Sequence, residues 1–268
     1  MAEGVINGSA KIGNTEMYYV AFGKGKRNLV VLPGLSDGLA TVKGKAAFIK
    51  GDYKKYYEDF KVYMFSRKNE MPEGYSIRDM AEDQVTVMKS LGIEKASVLG
   101  VSQGGMIAQY IAIDHPEVVD KLILAVTAPY ANKVVTDAVS GWIEMAKNED
   151  QVTLMVDTAE KMYSDSYMKK HGKMFPLIAR FTKPKTYDRF LRNAYAILDF
   201  DARSELSKIK CPTYIISGSD DKTVGNDAVH EFSEGITDTE TYIYEGLGHG
   251  TFTEAKDFYD RILEYLKS

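Results

Sequence analysis

The most constraining feature of the sequence is a serine set between glycines, at the point where an apolar run gives way to a helical pattern. The run Ser97–Leu99 predicts a buried strand, the segment Gly100-Val101-Ser102-Gln103-Gly104 follows it, and Met106–Ile113 then has apolar helical spacing. A strand that turns into a helix this abruptly needs the two glycines, because side chains there would collide across the turn. The sequence therefore predicts a tight strand-turn-helix unit that presents Ser102 at its apex.

Strand and helix patterns alternate around this unit. Buried strands are predicted at Leu29–Leu32, Ser97–Leu99 and Leu122–Val126, and an amphipathic helix at Ile77–Leu91. Near-continuous apolar runs of this kind are typical of a parallel sheet that is covered on both faces. Glu16–Phe22 adds an antiparallel edge strand of hairpin type ahead of the parallel run, so the chain is predicted to be an α/β protein with a mostly parallel, mixed sheet.

The strand pattern is interrupted once, between residues 131 and 203. This segment is rich in helix formers, methionine and aromatic residues, which predicts a helical insert. The pattern resumes afterwards, with predicted elements at Pro212–Ser217 (strand), Asn226–Glu234 (helix), Glu240–Tyr244 (strand) and Thr253–Leu266 (helix). The 268 residues are thus expected to form one core from 1–130 and 204–268, with 131–203 as a helical cap.

Charge and cysteine content narrow the expected partners and location. The formal net charge is -4 and the cations form no long run, so a nucleic-acid partner is not expected and a small molecule is. Cys211 is the only cysteine, and the N-terminal residues do not have the pattern of a signal peptide, which favours a cytoplasmic location. The longest apolar runs fall far short of the roughly 18 residues of a spanning helix, so no membrane partner is expected. The sequence makes no prediction of oligomeric state.

Ser102 becomes chemically meaningful only together with a base and a carboxylate. A serine hydroxyl is a weak nucleophile at neutral pH, and an imidazole held by an acid usually activates it. Asp220 and Asp221 both follow the predicted strand Pro212–Ser217, and His249 lies between two glycines after the last predicted strand. A histidine flanked by glycines has few side chains to pack against, so a catalytic role is favoured over a structural one.

With these motifs in the order serine, aspartate, histidine, the sequence resembles the α/β-hydrolase superfamily, in particular serine hydrolases of the esterase and lactonase type with a helical cap. The resemblance runs from the Leu29 strand through the closing helix and implies the α/β-hydrolase fold. It implies that Asp221, followed by Lys222-Thr223-Val224, is the acid that orients His249. Asp220 is the neighbouring candidate for that role, and its alternative role is to cap the following turn.

The same resemblance implies an oxyanion hole made by the backbone N–H groups of Leu35 and Gln103. Leu35 follows Pro33-Gly34, where relatives commonly have His-Gly, so the turn depends here on Gly34. Removing one such donor typically costs about 100- to 1000-fold in rate.

The predicted triad and oxyanion hole lead to an expectation about function. The chain is expected to be a cofactor-independent serine hydrolase that cleaves a carboxylic ester of a small, largely apolar substrate through an acyl-enzyme. A lactonase, thioesterase, carbon-carbon bond hydrolase or perhydrolase would use the same triad, and a non-catalytic small-molecule receptor is the alternative of another class. No metal is predicted, because the sequence has no H-E-x-x-H or C-x-x-C pattern and the remaining histidines are interpreted as structural or solvated: His115, His171 and His230.

Overall fold

An eight-stranded sheet forms the centre of the computed structural model, which describes residues 4–268. The strands are β1 (Ile6–Ile12), β2 (Thr15–Phe22), β3 (Arg27–Leu32), β4 (Phe60–Phe65), β5 (Ala96–Val101), β6 (Val119–Ala125), β7 (Thr213–Gly218) and β8 (Thr239–Tyr244). Their spatial order is β1-β2-β4-β3-β5-β6-β7-β8. β2 pairs antiparallel with β1 and with β4, and every later pair is parallel, so the predicted mixed sheet is confirmed.

Helices cover both faces of this sheet. They are α1 (Ala46–Ile49), α2 (Ile77–Ser90), α3 (Gln103–Asp114), α4 (Lys133–Lys147), α5 (Gln151–Met162), α6 (Asp165–His171), α7 (Phe175–Thr182), α8 (Asp188–Leu198), α9 (Ala228–Gly235), α10 (Thr251–Glu254) and α11 (Phe258–Lys267). Neighbouring residues of β5 show the two-sided burial: Val98 packs into one apolar cluster with α2, α3 and α9, and Leu99 into another with α1 and α11. Both side chains are fully buried, as a parallel sheet requires.

The start of α2 shows why the sequence predicted this helix well. Ser76 accepts a hydrogen bond from the backbone N–H of Asp79, and the Asp79 carboxylate accepts one from the backbone N–H of Ser76, which forms a capping box. Gly92, at φ +72°, lies just beyond the other end. The observed helix Ile77–Ser90 therefore agrees with the predicted one to within a residue.

Three elements differ from the sequence-based expectation. β1 was not predicted because its polar, glycine-containing sequence lacks an apolar run, and it makes β2 an inner strand of the sheet. β4 was also missed, although it pairs with both β2 and β3. The closing helix is divided, since Ala255 adopts an extended conformation between α10 and α11.

Residues 131–203 contain α4 to α8 and no strand. They connect β6 to β7, which are neighbours in the sheet, so this whole segment leaves the sheet at the carboxyl end of one strand and returns at the start of the next. We propose that 131–203 is a cap on a core formed by 1–130 and 204–268. None of the helices within residues 4–268 has the length and apolar character that crossing a membrane requires.

Candidate active site

Ser102 lies at the apex of the turn between β5 and α3 in a backbone conformation that is rare for a side-chain-bearing residue. Its φ is +54° and its ψ is -122°. A Cβ atom on Gly104 would collide with the carbonyl oxygen of Leu32, and one on Gly100 would lie 2.5 Å from the Cα of Gly105. The two glycines therefore allow the close approach of backbone that the sequence predicted for this turn.

Thr127, just after β6, supports the same turn from the other side. Its hydroxyl donates a 2.8 Å hydrogen bond to the carbonyl oxygen of Ser102, and the backbone N–H of Ser102 donates to the carbonyl oxygen of Ala125 at 2.9 Å. Val126 between them has a positive φ of 44°, which is unusual for a β-branched residue. The strain therefore occurs where the chain turns Thr127 toward the backbone of Ser102.

His249 and Asp221 form a buried pair at the carboxyl ends of β8 and β7. His249 Nδ1 lies 2.8 Å from Asp221 Oδ2, and both side chains are almost inaccessible to solvent. The other carboxylate oxygen of Asp221 accepts hydrogen bonds from the backbone N–H groups of Thr223 and Val224. Because the carboxylate is held at both oxygens, it fixes the orientation of the imidazole ring and leaves Nε2 as its free nitrogen.

Asp220, the alternative acid, points away from this pair. Its side chain is exposed, and its carboxylate accepts a 2.8 Å hydrogen bond from the hydroxyl of Ser219. The structure thus brings His249 together with Asp221 and not with Asp220. Ser102 and His249 line the same cavity, while the Ser102 hydroxyl makes no hydrogen bond within residues 4–268, as is common before a substrate binds.

The two predicted oxyanion donors occupy equivalent positions in two different helices. Leu35 begins a short 3-10 helix after β3, and Gln103 begins α3. The N–H of a first helical residue has no partner within its own helix, so both groups can donate to another acceptor. Gly34 brings the two turns together, since a Cβ atom placed on it would lie 3.2 Å from the Cβ of Ser102.

A cavity of about 500 Å³ opens beside Ser102, between the sheet edge and residues 131–203. Its walls are mainly apolar, and the lining contains no lysine, arginine, aspartate or glutamate. The apolar side chains contributed by 131–203 are Trp142, Leu154, Met155, Ala159, Met162, Phe175, Ile178 and Phe190. This chemistry favours an uncharged, apolar group over a charged one, because a carboxylate or ammonium buried here would have no partner of opposite charge.

Behind the turn formed by Gly34 and Leu35 lies a buried ionic network that the sequence did not reveal. Asp37 Oδ2 accepts hydrogen bonds from the backbone N–H of Arg67 at 3.0 Å and from Arg189 Nη2 at 2.6 Å. Arg189, which belongs to α8, also donates to the backbone carbonyl oxygens of Asp37 and Arg67. Burial lowers the pKa of Arg67 to about 10, which still leaves this guanidinium charged at neutral pH.

The side chain of Gln103 connects this network to the turn around Ser102. Its carbonyl oxygen accepts from Arg67 Nη2 at 3.0 Å, and its amide donates to the backbone oxygen of Asn193 in α8 at 2.8 Å. From the sequence, only the backbone N–H of Gln103 was expected to have a role. The network was not predictable from spacing, since Arg67 follows β4, a strand that the sequence did not reveal, and Arg189 lies more than 80 residues beyond Gln103.

The described residues do not bring three or more histidine, cysteine, aspartate or glutamate side chains together in a group that could hold a metal ion. His115 pairs instead with Glu82 at 2.7 Å, and His230 with Glu234 at 3.1 Å. His171 packs at 4.5 Å from the ring of Tyr167. These three histidines lie outside the lining of the cavity.

Comparison with known proteins gives a consistent result. A family model described as the alpha/beta hydrolase fold matches residues 59–256. The AB hydrolase superfamily protein YisY of Bacillus subtilis is 30% identical over 196 residues, which cover 69% of this chain and 71% of that protein.

Two solved structures share the fold. MGS-M2, an alpha/beta hydrolase enzyme from a Medee basin deep-sea metagenome library, superposes with a TM-score of 0.87 at 21% identity, covering 97% of this chain and 98% of its own. The enol-lactonase from Burkholderia xenovorans LB400 has a TM-score of 0.81 at 21% identity and covers 97% of this chain and 100% of its own.

Proposed function

The chain belongs to the alpha/beta hydrolase fold family and is a hydrolase, and on that premise we propose that it is a cofactor-independent serine hydrolase that cleaves a carboxylic ester of a small, largely apolar substrate. The observation that carries the proposal is that Ser102 and His249 line the same cavity, whose lining contains no lysine, arginine, aspartate or glutamate. The buried 2.8 Å contact between His249 and Asp221 supports it.

In the proposed reaction, Ser102 Oγ attacks the ester carbonyl carbon as His249 Nε2 takes the hydroxyl proton. The carbonyl electron pair moves to the oxygen, which accepts hydrogen bonds from the N–H groups of Leu35 and Gln103. Collapse of this intermediate breaks the bond to the alcohol, to which His249 returns the proton, and leaves an acyl-enzyme. Water then attacks the acyl-enzyme with the same proton transfers and releases the acid.

Asp221 acts in this reaction through His249. Its carboxylate accepts a hydrogen bond from Nδ1–H, so that Nε2 carries the lone pair in the neutral ring, and it stabilises the imidazolium that forms when Nε2 takes the hydroxyl proton. The two backbone N–H groups of Thr223 and Val224 keep the carboxylate in place during this cycle.

Acyl charge provides the sharpest test of the proposed substrate class. We expect p-nitrophenyl hexanoate to be hydrolysed with a kcat/KM at least about 100-fold above that of mono-p-nitrophenyl glutarate, because an acyl carboxylate would be buried without a cation. Steady-state kinetics on this pair, together with a lactone and a thioester, measure it. Equal rates for the two esters would contradict the proposed class, and faster turnover of the lactone would assign the same site to a lactonase, the activity named for one structural neighbour.

Cavity size should set the preferred acyl length. Met155→Trp is expected to fill part of the cavity and to shift the preference from octanoyl toward butyryl esters about tenfold, since Met155 lies in the lining. Val156→Trp, on the next residue of α5 but outside the lining, is the matched control. If the preference for acyl chain length is unchanged in Met155→Trp, the acyl group does not bind beside Met155.

Arg189, in α8, is expected to position the turn formed by Gly34 and Leu35, which contains one of the proposed oxyanion donors. Removing its charge in Arg189→Met leaves the buried Asp37 carboxylate with Arg67 Nη1, 4.0 Å away, as its remaining ion-pair partner within residues 4–268, and should lower the free energy of unfolding by about 3 kcal/mol. Since Asp37 lies in the same short helix as Leu35, we also expect kcat to fall about tenfold with little change in KM. Steady-state kinetics measure the change in kcat and KM, and urea unfolding measures the change in stability.

Arg192→Met is the control for that prediction. Arg192 lies one turn further along α8, where it pairs with the exposed Glu73 at 3.0 Å. Surface pairs of this kind contribute little, so both kcat and stability should stay close to wild type. Equal kcat values in Arg189→Met and wild type would show that Arg189 does not position this turn.

A further inference from the structure

α7 and the turn before it expose an unusual set of apolar side chains on the outside of residues 131–203. Phe181 is 83% exposed, Leu177 57% and Met174 50%. Two other residues of α7 line the cavity beside Ser102: Phe175, which is partly buried, and Ile178, which also reaches the solvent. This short helix therefore borders the cavity and also presents large apolar groups to solvent.

Exposed cations flank these apolar side chains in the sequence. Between Ser166 and Tyr187 the chain has no aspartate or glutamate, and its cations are Lys169, Lys170, Lys173, Arg180, Lys183 and Lys185. All six are exposed. Within residues 4–268, Lys183 pairs with Glu149 at 3.0 Å, whereas the other five have no ion pair. A protein of net charge -4 thus has a segment, residues 169–185, whose exposed side chains combine large apolar groups with cations, most of them without an ion pair within residues 4–268; we call its exposed side the basic cap face.

We propose that the basic cap face docks on an anionic lipid surface. Helices that lie in a membrane interface combine an apolar face with lysine and arginine at its border, and the cations bind the anionic headgroups while the apolar side chains enter the acyl boundary. The expected binding is reversible, because one short apolar face with a few cations gives only modest affinity.

The chemistry of the face favours lipid over protein. Lysine is depleted at protein-protein interfaces, and five of the six cations here are lysines. A second copy of this chain would bring two unpaired positive faces together, which costs energy. The expectation that no membrane partner exists came from the length of apolar runs, which tests only for spanning helices and not for docking.

Docking would bring the cavity entrance toward the lipid. Ile178 is 39% exposed and also lines the cavity, so it marks the side of α7 where the cavity meets the solvent. An apolar ester dissolved in the membrane could then enter without crossing bulk water. This delivery step rests on the proposed function, whereas the docking itself does not.

Sedimentation with sucrose-loaded vesicles tests the proposal on the full chain. At low salt the protein should sediment with vesicles of phosphatidylcholine and phosphatidylglycerol, not with phosphatidylcholine alone, and added salt should release it. Phe181→Ser should lower the partition coefficient about tenfold, since it removes a large apolar contact. The triple variant Lys169→Gln, Lys170→Gln, Lys173→Gln should lower it by a similar factor.

Phe48→Ser is the matched control, because Phe48 is 86% exposed on α1 and lies outside the basic cap face. It should bind as wild type does, and every variant should keep its turnover of a water-soluble ester, which shows that it is folded. Absence of sedimentation, or sedimentation that Phe181→Ser leaves unchanged, would overturn the proposal. Tighter binding to polyglutamate than to the anionic vesicles would assign the face to an acidic protein and overturn it as well. Loss of ester turnover in wild type would count against the proposed function and not against docking.

Discussion

Ser102→Ala is expected to lower kcat by at least about 10⁴-fold for every ester that the wild-type protein hydrolyses. The variant loses the proposed nucleophile, which the tight turn between β5 and α3 presents to the cavity, while the proposed oxyanion donors and the cavity remain. Its stability should stay close to wild type, because the change removes one hydroxyl that makes no hydrogen bond within residues 4–268. Initial rates with p-nitrophenyl butyrate and urea unfolding measure both quantities.

Ser36→Ala is the control for that result. Ser36 also lines the cavity, so this variant removes a second hydroxyl from the same space without touching the turn. Its kcat should change by less than about tenfold, as expected for a hydroxyl without a base. A comparable loss in both variants would mean that the shape of the cavity, and not the nucleophile at Ser102, explains the effect.

Asp221→Asn is expected to lower kcat about 10⁴-fold, whereas Asp220→Asn should leave it within a few-fold of wild type. The two residues are neighbours in sequence, but only Asp221 is buried against Nδ1 of His249, at 2.8 Å. An asparagine there can donate from its amide and so favour the ring tautomer whose Nε2 carries the proton and cannot act as a base.

The pair of aspartate variants controls for general effects of lost charge, since each removes one carboxylate from the same turn. A large loss in Asp220→Asn together with a small one in Asp221→Asn would reverse the assignment. Equal moderate losses would point to a disturbed turn, and circular dichroism together with urea unfolding would reveal that disturbance in both variants.

The parts of the fold that the sequence predicted are those with strong local determinants. β3, β5, β6 and β7 are buried on both faces and appear as short apolar runs, while α2 has a capping box at one end and a glycine beyond the other. The turn around Ser102 was predictable because the collisions at Gly100 and Gly104 restrict which residues can occupy it. The parts that were missed lack such local signals: β1 is polar and contains a glycine, although it pairs with the neighbouring β2, and β4 is held by pairing with β2 and β3, which lie far from it in the sequence.

The candidate site also has one part that the sequence predicted and one part that it did not. Ser102, Asp221 and His249 follow the ends of strands that alternate with helices, and their order together with the resemblance to α/β-hydrolases predicted that they form one site. In the structure His249 contacts Asp221, and Ser102 lines the same cavity as His249. Asp37, Arg67 and Arg189 meet only because α8 packs over the turn after β3, where a Cβ atom on Gly38 would lie 2.8 Å from the Cα of Phe190. That contact depends on how residues 131–203 fold, and their sequence predicted helices without predicting which side chains enter the cavity.

Covalent labelling with a fluorophosphonate tests the central claim most directly, because this reagent reacts with a serine that an adjacent base activates. Intact mass spectrometry followed by peptide mapping should show one adduct in the wild-type protein, on the peptide that contains Ser102. The adduct should be absent from Ser102→Ala and strongly slowed in Asp221→Asn. Labelling that persists in Ser102→Ala, or that maps to another residue in the wild-type protein, would contradict the assignment of Ser102 as the nucleophile.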